Sequence, residues 1–307
     1  MLGAGDDCAL FSVKPGMQLA TSTDLLLEGR HFFAGTDPFR LGHKALAVNL
    51  SDLAAVGAKP LACLLGIGLP SVDEQWVSRF ADGFYALADE FGCVLIGGDT
   101  TRSMQGITLS VTVFGEVTPE LAMRRSAAVL GDDIWVSGAL GAADIACRML
   151  SGELPLNAAL LAQTRLALEK PTPRVTLGRR LAPHVHAAID LSDGLVQDLG
   201  HILTASGVAA ELEESALPVH EALTGYDAMQ VRRAMLAGGD VYELCFTASP
   251  AQRDSLQRIA IEMDVPLTRI GRVTSGSGTV VRDVSGHALS DIPNGFDHFR
   301  SSGDARL

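Results

Sequence analysis

Lys44-Ala-Leu-Ala-Val-Asn-Leu-Ser-Asp-Leu-Ala-Ala55 lies within residues 41–56, a run with apolar side chains at helical spacing that stops at Gly57 and is followed by Pro60. The pattern predicts a helix and sets Asp52 inside or beside an apolar surface. A lone carboxylate buried there is costly unless it is paired or ligates a cation. The other reading, an exposed helical acid, is weakened by the apolar neighbours. Outward from Asn49–Asp52, five more short stretches place an aspartate beside a glycine or small hydroxyl residue: Gly3-Ala-Gly-Asp-Asp7, Ser22-Thr-Asp24, Gly97-Gly-Asp-Thr-Thr101, Asp190-Leu-Ser-Asp-Gly194 and Gly238-Gly-Asp240. One such cluster is a turn. Six, each beside an apolar run, read as one site assembled from many loops. Carboxylates gathered that closely repel, so a cation belongs among them, and magnesium characteristically bridges protein carboxylates to phosphate oxygens. The glycines let backbone N–H groups approach a polyphosphate. The pattern points to a magnesium-dependent enzyme acting on phosphates.

Taken singly, the motifs differ in weight. In Gly97-Gly-Asp-Thr-Thr101 the glycines allow close backbone approach, Asp99 offers a metal ligand and the hydroxyls suit phosphate oxygens; alone, the stretch is a glycine-rich turn with a capping aspartate. Asp190 and Asp193 stand three residues apart, so both can face one site on a helical turn, with Ser192 between them. Ser192 or Asp193 also suits a helix cap, and the two roles agree, because a helix N-terminus favours bound phosphate. Asp6 and Asp7 follow a weak Gly-x-Gly, and the chain has no Gly-x4-Gly-Lys-Ser/Thr phosphate loop. His31 is either an anion contact or a structural histidine. Arg124 and Arg125 are either a bidentate phosphate clamp or an exposed linker pair.

The 307 residues predict two domains, with a boundary near 126–132 where Gly131-Asp132-Asp133 signals a turn; residues 1–128 and 129–307 form the expected units. A hydrophobic content of 47% against 20% charged residues fits a packed globular chain, and only 5% aromatics places the core on Ala, Val, Leu and Ile, favouring layered helix–sheet packing. With 36 acidic against 24 basic residues the net charge is −12, which argues against nucleic acid or an anionic membrane as partner but not against a nucleotide bound with cations. Cys8, Cys63, Cys93, Cys147 and Cys245 are scattered without a Cys-x-x-Cys pair, predicting reduced thiols in a cytoplasmic protein. No signal peptide precedes the first motif and no apolar run is long enough for a bilayer. Strands are expected over 17–21 (ending in Ser22-Thr-Asp24), 61–68, 93–96, 107–117, 134–137, 187–189, 244–247 and 269–273. Helices are expected over 72–91, 142–150, 156–168 and 194–205, besides 41–56.

The order and wording of these motifs resemble the thiamine-monophosphate kinases, a family of the aminoimidazole-ribonucleotide-synthetase-like superfamily. Gly3-Ala-Gly-Asp-Asp-Cys-Ala9, Ser22-Thr-Asp24, the 44–55 block, Gly97-Gly-Asp-Thr-Thr101, Ala188-Ile-Asp-Leu-Ser-Asp-Gly-Leu195 and Gly295-Phe-Asp-His-Phe299 carry the likeness over nearly the whole chain. The resemblance implies transfer of a phosphoryl group from ATP to thiamine monophosphate with several magnesium ions. It also implies a two-domain α+β / α/β fold: an N-terminal domain whose mixed sheet forms a β-barrel shared in a homodimer, and a C-terminal α/β domain. It assigns Asp7, Thr23, Asp24, Asp52, Asp99, Asp190 and Asp193 to metal, Gly98, Asp99, Arg125 and Ser192 to ATP, and His31, Asp240 and Phe296 to the substrate. Two departures stand out. In that family roughly a helix and a strand precede the first glycine motif, here at residue 3, and its Gly-Gly-Glu-Asp-Tyr-Glu-Leu is here Gly238-Gly-Asp-Val-Tyr-Glu-Leu244.

A phosphate monoester is nucleophilic without a strong base, so positioning and charge neutralisation suffice for direct in-line transfer, with no residue standing out for a phosphoenzyme. Two alternatives are another ATP-dependent synthetase of the superfamily and a non-catalytic thiamine-phosphate or nucleotide-binding protein. A selenophosphate synthetase would need a reactive cysteine in an N-terminal glycine-rich loop, and Cys8 lies on the wrong side of the acidic motif.

Overall fold

The computed structural model describes residues 8–293 and 295–296. The chain runs β1 (Gln18–Leu27), α1 (Pro38–Ala55), β2 (Lys59–Leu69), α2 (Glu74–Phe91), β3 (Val94–Arg102), β4 (Thr108–Val117), β5 (Asp133–Ser137), α3 (Ala142–Leu150), α4 (Ala158–Glu169), α5 (Val175–Leu181), β6 (Ala187–Asp190), α6 (Leu195–Ser206), β7 (Ala209–Glu213), α7 (Ala228–Ala237), β8 (Leu244–Ala248), α8 (Arg253–Met263), β9 (Leu267–Thr274) and β10 (Gly278–Arg282). Two sheets result. The first is mixed, in the order β1-β4-β2-β3; the second, β10-β7-β9-β5-β8-β6, is antiparallel except for the β10–β7 pair.

The 41–56 pattern becomes α1. Asp37 accepts from the Arg40 backbone N–H at 3.2 Å, Pro38 fills the first turn, and Gly57, at φ 73°, takes the left-handed turn that ends the helix. This helix is buried on nearly every side. On one side it shares a core with α2 and the first sheet, through Leu46, Leu50, Phe80, Phe84 and Val111. On the other it meets α5 and the Phe246 face of the second sheet. Two close backbone approaches demand glycine: a Cβ on Gly42 would lie 2.0 Å from the Phe80 carbonyl oxygen, and one on Gly83 would lie 1.8 Å from that of Phe39. α2, by contrast, is amphipathic. It is capped by Asp73, which accepts from Gln75 and Trp76, and it closes at Gly92 in the left-handed conformation. A second core lies between the opposite face of the second sheet and α6, around Ile134, Leu199, Ile202 and Ile270.

Two expectations change. The strand expected over 17–21 runs on through Ser22-Thr-Asp24 to Leu27, and that expected over 93–96 runs on through Gly97-Gly-Asp-Thr-Thr101 to Arg102, so both motifs are strand and not loop. Backbone pairing with β4 and β2 decides this against the local turn composition. The first sheet is open within one chain, with β1 and β3 at its edges. Its second face carries exposed leucines, Leu19 at 50% and Leu25 at 53%.

Candidate active site

β1, α1 and β6 deliver aspartates to one place. Alternation along β1 turns Thr23 to the uncovered sheet face, where its hydroxyl lies 2.9 Å from that of Thr112, and turns Asp24 toward α1. There Asn49 fixes the strand: its Oδ1 accepts from the Asp24 N–H at 2.9 Å while its Nδ2 donates to the Ala45 carbonyl at 3.0 Å. Asp52, one turn further along α1, accepts from the Ser22 hydroxyl at 2.5 Å. Asp190 ends β6 against α1, and Asp193 follows in the turn before α6.

These carboxylates sense one another. Burial pushes Asp24 up to about 6, with the negative charges of Asp52 and Asp193 adding to it. Burial pushes Asp190 up to about 8, and Asp52, Asp198 and Asp24 reinforce the shift. Asp52 is raised by burial, opposed by the Ser22 hydrogen bond and the positive charge of Arg125. Arg125 thus stands beside the cluster, in a short turn whose carbonyl accepts from Ser206. Asp24 and Asp190 are raised by neighbouring carboxylates as well as by burial, a repulsion that protonation or a cation relieves. Clustered hard oxygen donors of this kind fit magnesium. Among the described residues no three such groups close into a ready-made cage, so phosphate oxygens and water would complete the ion's shell, as magnesium prefers.

Asp198 is a member that sequence reasoning missed. Nearly fully buried, it accepts from the backbone N–H groups of Asp193 and Gly194 at 3.0 and 3.1 Å and so shapes the turn that carries Ser192 and Asp193. Burial pushes its carboxyl up to about 7.

Beside the carboxylates lies a narrow cleft lined by His31, Phe33, Lys44, Cys147 and Asp240, among others. His31 accepts at Nδ1 from the Leu27 N–H at 2.9 Å. The loop carrying Asp240 is stitched to the 190–194 turn: the Asp240 N–H donates to the Ser192 carbonyl and the Tyr242 N–H to that of Leu191, each at 2.8 Å. A Cβ on Gly239 would lie 2.5 Å from the Ser192 carbonyl oxygen, which explains that glycine. Asp240 and Tyr242 both hold positive φ, 59° and 55°, and Glu243 anchors the segment through Arg174 (2.8 Å, Nε to Oε2) and the Ser137 hydroxyl (2.5 Å). Phe296 reaches the same region, its N–H donating to the Asp193 carbonyl at 3.0 Å and the Arg30 guanidinium lying 4.6 Å from its ring centroid.

Asp24, Asp52, Asp190, Asp193, Arg125 and Ser192 therefore come together, with His31, Asp240 and Phe296 adjoining. Gly98 and Asp99 do not join them. Asp99 pairs with Gly66, Gly66 with Ser110 and Ser110 with Leu25, so three strand spacings, roughly 14 Å, separate it from the Asp24 level of β1. Asp7 lies outside the described residues.

The match to the AIR synthase related protein family is in two parts, its N-terminal domain over residues 5–117 and its C-terminal domain over 129–284. The thiamine-monophosphate kinase of Haemophilus influenzae is 41% identical, the match covering 98% of this chain and 92% of that protein. The crystal structure of thiamine-monophosphate kinase from Stenotrophomonas maltophilia K279a superposes with a TM-score of 0.87 at 48% identity, covering 94% of this chain and 92% of that one. A further structure, AaThiL complexed with AMPPCP and TMP, superposes with a TM-score of 0.81 at 29% identity, over 94% of this chain and 89% of that chain. The chain belongs to the thiamine-monophosphate kinase family, built on the two AIR synthase related domains.

Proposed function

We propose that this chain transfers the γ-phosphoryl group of ATP directly to the phosphate of thiamine monophosphate, giving thiamine diphosphate. The observation that carries this reading is the convergence of Asp24, Asp52, Asp190 and Asp193 on one place beside the His31–Asp240 cleft. The cluster suits a cation-bound polyphosphate, and the cleft suits the rings of the acceptor. Magnesium held by these aspartates would screen the two phosphate groups from each other. Arg125 and Ser192 serve ATP, and His31, Asp240 and Phe296 hold the acceptor. Asp7 completes the proposed ligand set, whereas the Thr23 hydroxyl, turned to the opposite face of the sheet beside Thr112, does not join it. The acceptor oxygen needs no strong base, so the chain's task is to align it with the γ-phosphorus. ADP release that requires thiamine monophosphate tests the reading; ATP turnover indifferent to it, or binding of both without turnover, overturns it.

The open first sheet supports a dimer. Setting β1 of one copy beside β3 of its partner would satisfy both edges, cover the face bearing Leu19 and Leu25, and close an eight-stranded barrel. In such a dimer the partner's Asp99, and not that of the same copy, is the one proposed to serve the site, since within one copy three strand spacings separate the two edges. Residues 1–128 are then the nucleotide-binding and dimerisation unit, and 129–307 the second unit. No helix among the described residues is long and apolar enough to cross a membrane, and the cysteines described are free thiols, in keeping with the cytoplasmic placement proposed here.

Phe296→Ala raises KM for thiamine monophosphate about five-fold with KM for ATP little changed, since ring stacking contributes on the order of 1 kcal/mol. Steady-state kinetics with each substrate varied checks this, and an equal loss for both points to a detached C-terminal segment instead. Val241 stands where the family has a carboxylate, and here it packs against the second core. Val241→Asp therefore lowers stability by about 1–3 kcal/mol without improving affinity for thiamine monophosphate, read from melting temperature and KM together.

A further inference from the structure

Lys44 is only 3% exposed, yet its ammonium is not idle: it lies 2.8 Å from Asp240 Oδ1 and donates to the His31 carbonyl at 3.2 Å. The pair joins α1, packed on the first sheet, to the loop before β8 of the second, and it lies in the cleft assigned above to the acceptor. Asp240 Oδ1 also accepts from the Tyr242 hydroxyl at 3.1 Å. Both anchors fall on the same oxygen. Oδ2 takes no hydrogen bond among the described residues, on a side chain 30% exposed to the cleft. A carboxylate clamped by one oxygen, with the other turned out, is an oriented acceptor. It selects a ligand that brings an N–H donor or a positive charge, and it repels a ligand that presents an oxygen there.

We propose that Lys44 is the positioning residue that sets acceptor specificity: through Asp240 Oδ1 it fixes the carboxylate so that Oδ2 receives the amino group of the aminopyrimidine ring. This rests on the reading that thiamine monophosphate is the acceptor. Lys44 touches neither reacting phosphate in this arrangement, so its effect falls on recognition of the ring. A buried ammonium is also the wrong group to place beside a cationic thiazolium unless a carboxylate intervenes, and Asp240 is that carboxylate.

The test compares thiamine monophosphate with the analogue whose ring amino group is replaced by oxo. The wild-type enzyme should favour the amino form in kcat/KM by at least tenfold. Lys44→Met should raise KM for thiamine monophosphate about tenfold, keep KM for ATP within twofold, and reduce the amino-over-oxo preference to below threefold; Lys44→Arg should restore part of it. Asp240→Asn, at the more exposed partner, should lose the same preference with Lys44 in place, so the idea stays testable if Lys44→Met folds poorly. Preference retained in a folded Lys44→Met or in Asp240→Asn, or KM raised equally for ATP and acceptor, overturns the proposal. If the wild-type enzyme turns over neither acceptor, the functional reading itself fails, and the specificity proposal falls with it.

Discussion

Asp52→Asn lowers kcat by about a thousandfold or more while the chain still folds, because the site loses a charged oxygen donor that an amide cannot replace. The fold survives for a physical reason. Burial raises the Asp52 carboxyl, and its hydrogen-bond partner among the described residues, the Ser22 hydroxyl, can donate to an amide oxygen as well as to a carboxylate. Turnover at saturating ATP, acceptor and magnesium measures the loss, with circular dichroism as the check on folding. In the proposed dimer the same variant gives a second readout. Mixed with Asp99→Asn, itself inactive, it should regain about a quarter of wild-type activity, since half the dimers are hybrid and one of their two sites is intact. Activity of Asp52→Asn near wild type would remove the cluster from the reaction.

Asp190→Asn should abolish transfer and yet raise the melting temperature of the ligand-free protein by ~2–4 °C at pH 8. Burial and the neighbouring Asp52 push Asp190 up to about 8, and Asp24 lies up at about 6. In the unfolded chain both lose their protons near pH 4. The folded chain therefore holds more protons than the unfolded chain between those values, and stability falls as pH rises from about 4 through 6 and on toward 8. Asparagine removes the Asp190 part of that slope. Melting curves of wild type and variant from pH 5 to pH 8, without metal or nucleotide, should diverge as pH rises; parallel curves would mean that the carboxylates are already neutralised by groups of the chain.

That stability is given up at the site also explains what was legible in the sequence. α1 could be read because its apolar spacing, Gly57 stop and Pro60 agree, and Asp52 stood out because no solvent face was left for it. The same argument reaches Lys44, a charge in the same apolar run about two turns upstream, but a lysine is easily credited with an exposed end; only its burial beside Asp240 shows otherwise. Asp24, Asp52, Asp190 and Asp193 were recognisable as a set by their repeated wording, whereas the separation of Asp99 from them depends on the strand order β1-β4-β2-β3, which no local pattern encodes. β7 and β10 escaped notice because five-residue strands such as Ala209–Glu213, with Glu211 and Glu213 among apolar residues, look like loop. α7 and α8 escaped because each is rich in charged and polar residues and buries only a few side chains. The strand character of Gly97-Gly-Asp-Thr-Thr101 was hidden by glycines that signal turns in isolation and here lie in a sheet edge.

The central claim is direct phosphoryl transfer from ATP to thiamine monophosphate at the aspartate cluster. A single turnover with γ-phosphate-labelled ATP, quenched in acid and separated into protein, inorganic phosphate and thiamine phosphates, tests it most directly. The account predicts that label leaves ATP only when thiamine monophosphate is present and appears in thiamine diphosphate at the rate ADP forms, with none retained on the protein. Label accumulating on the protein before product, or released as inorganic phosphate without any thiamine diphosphate, would contradict it.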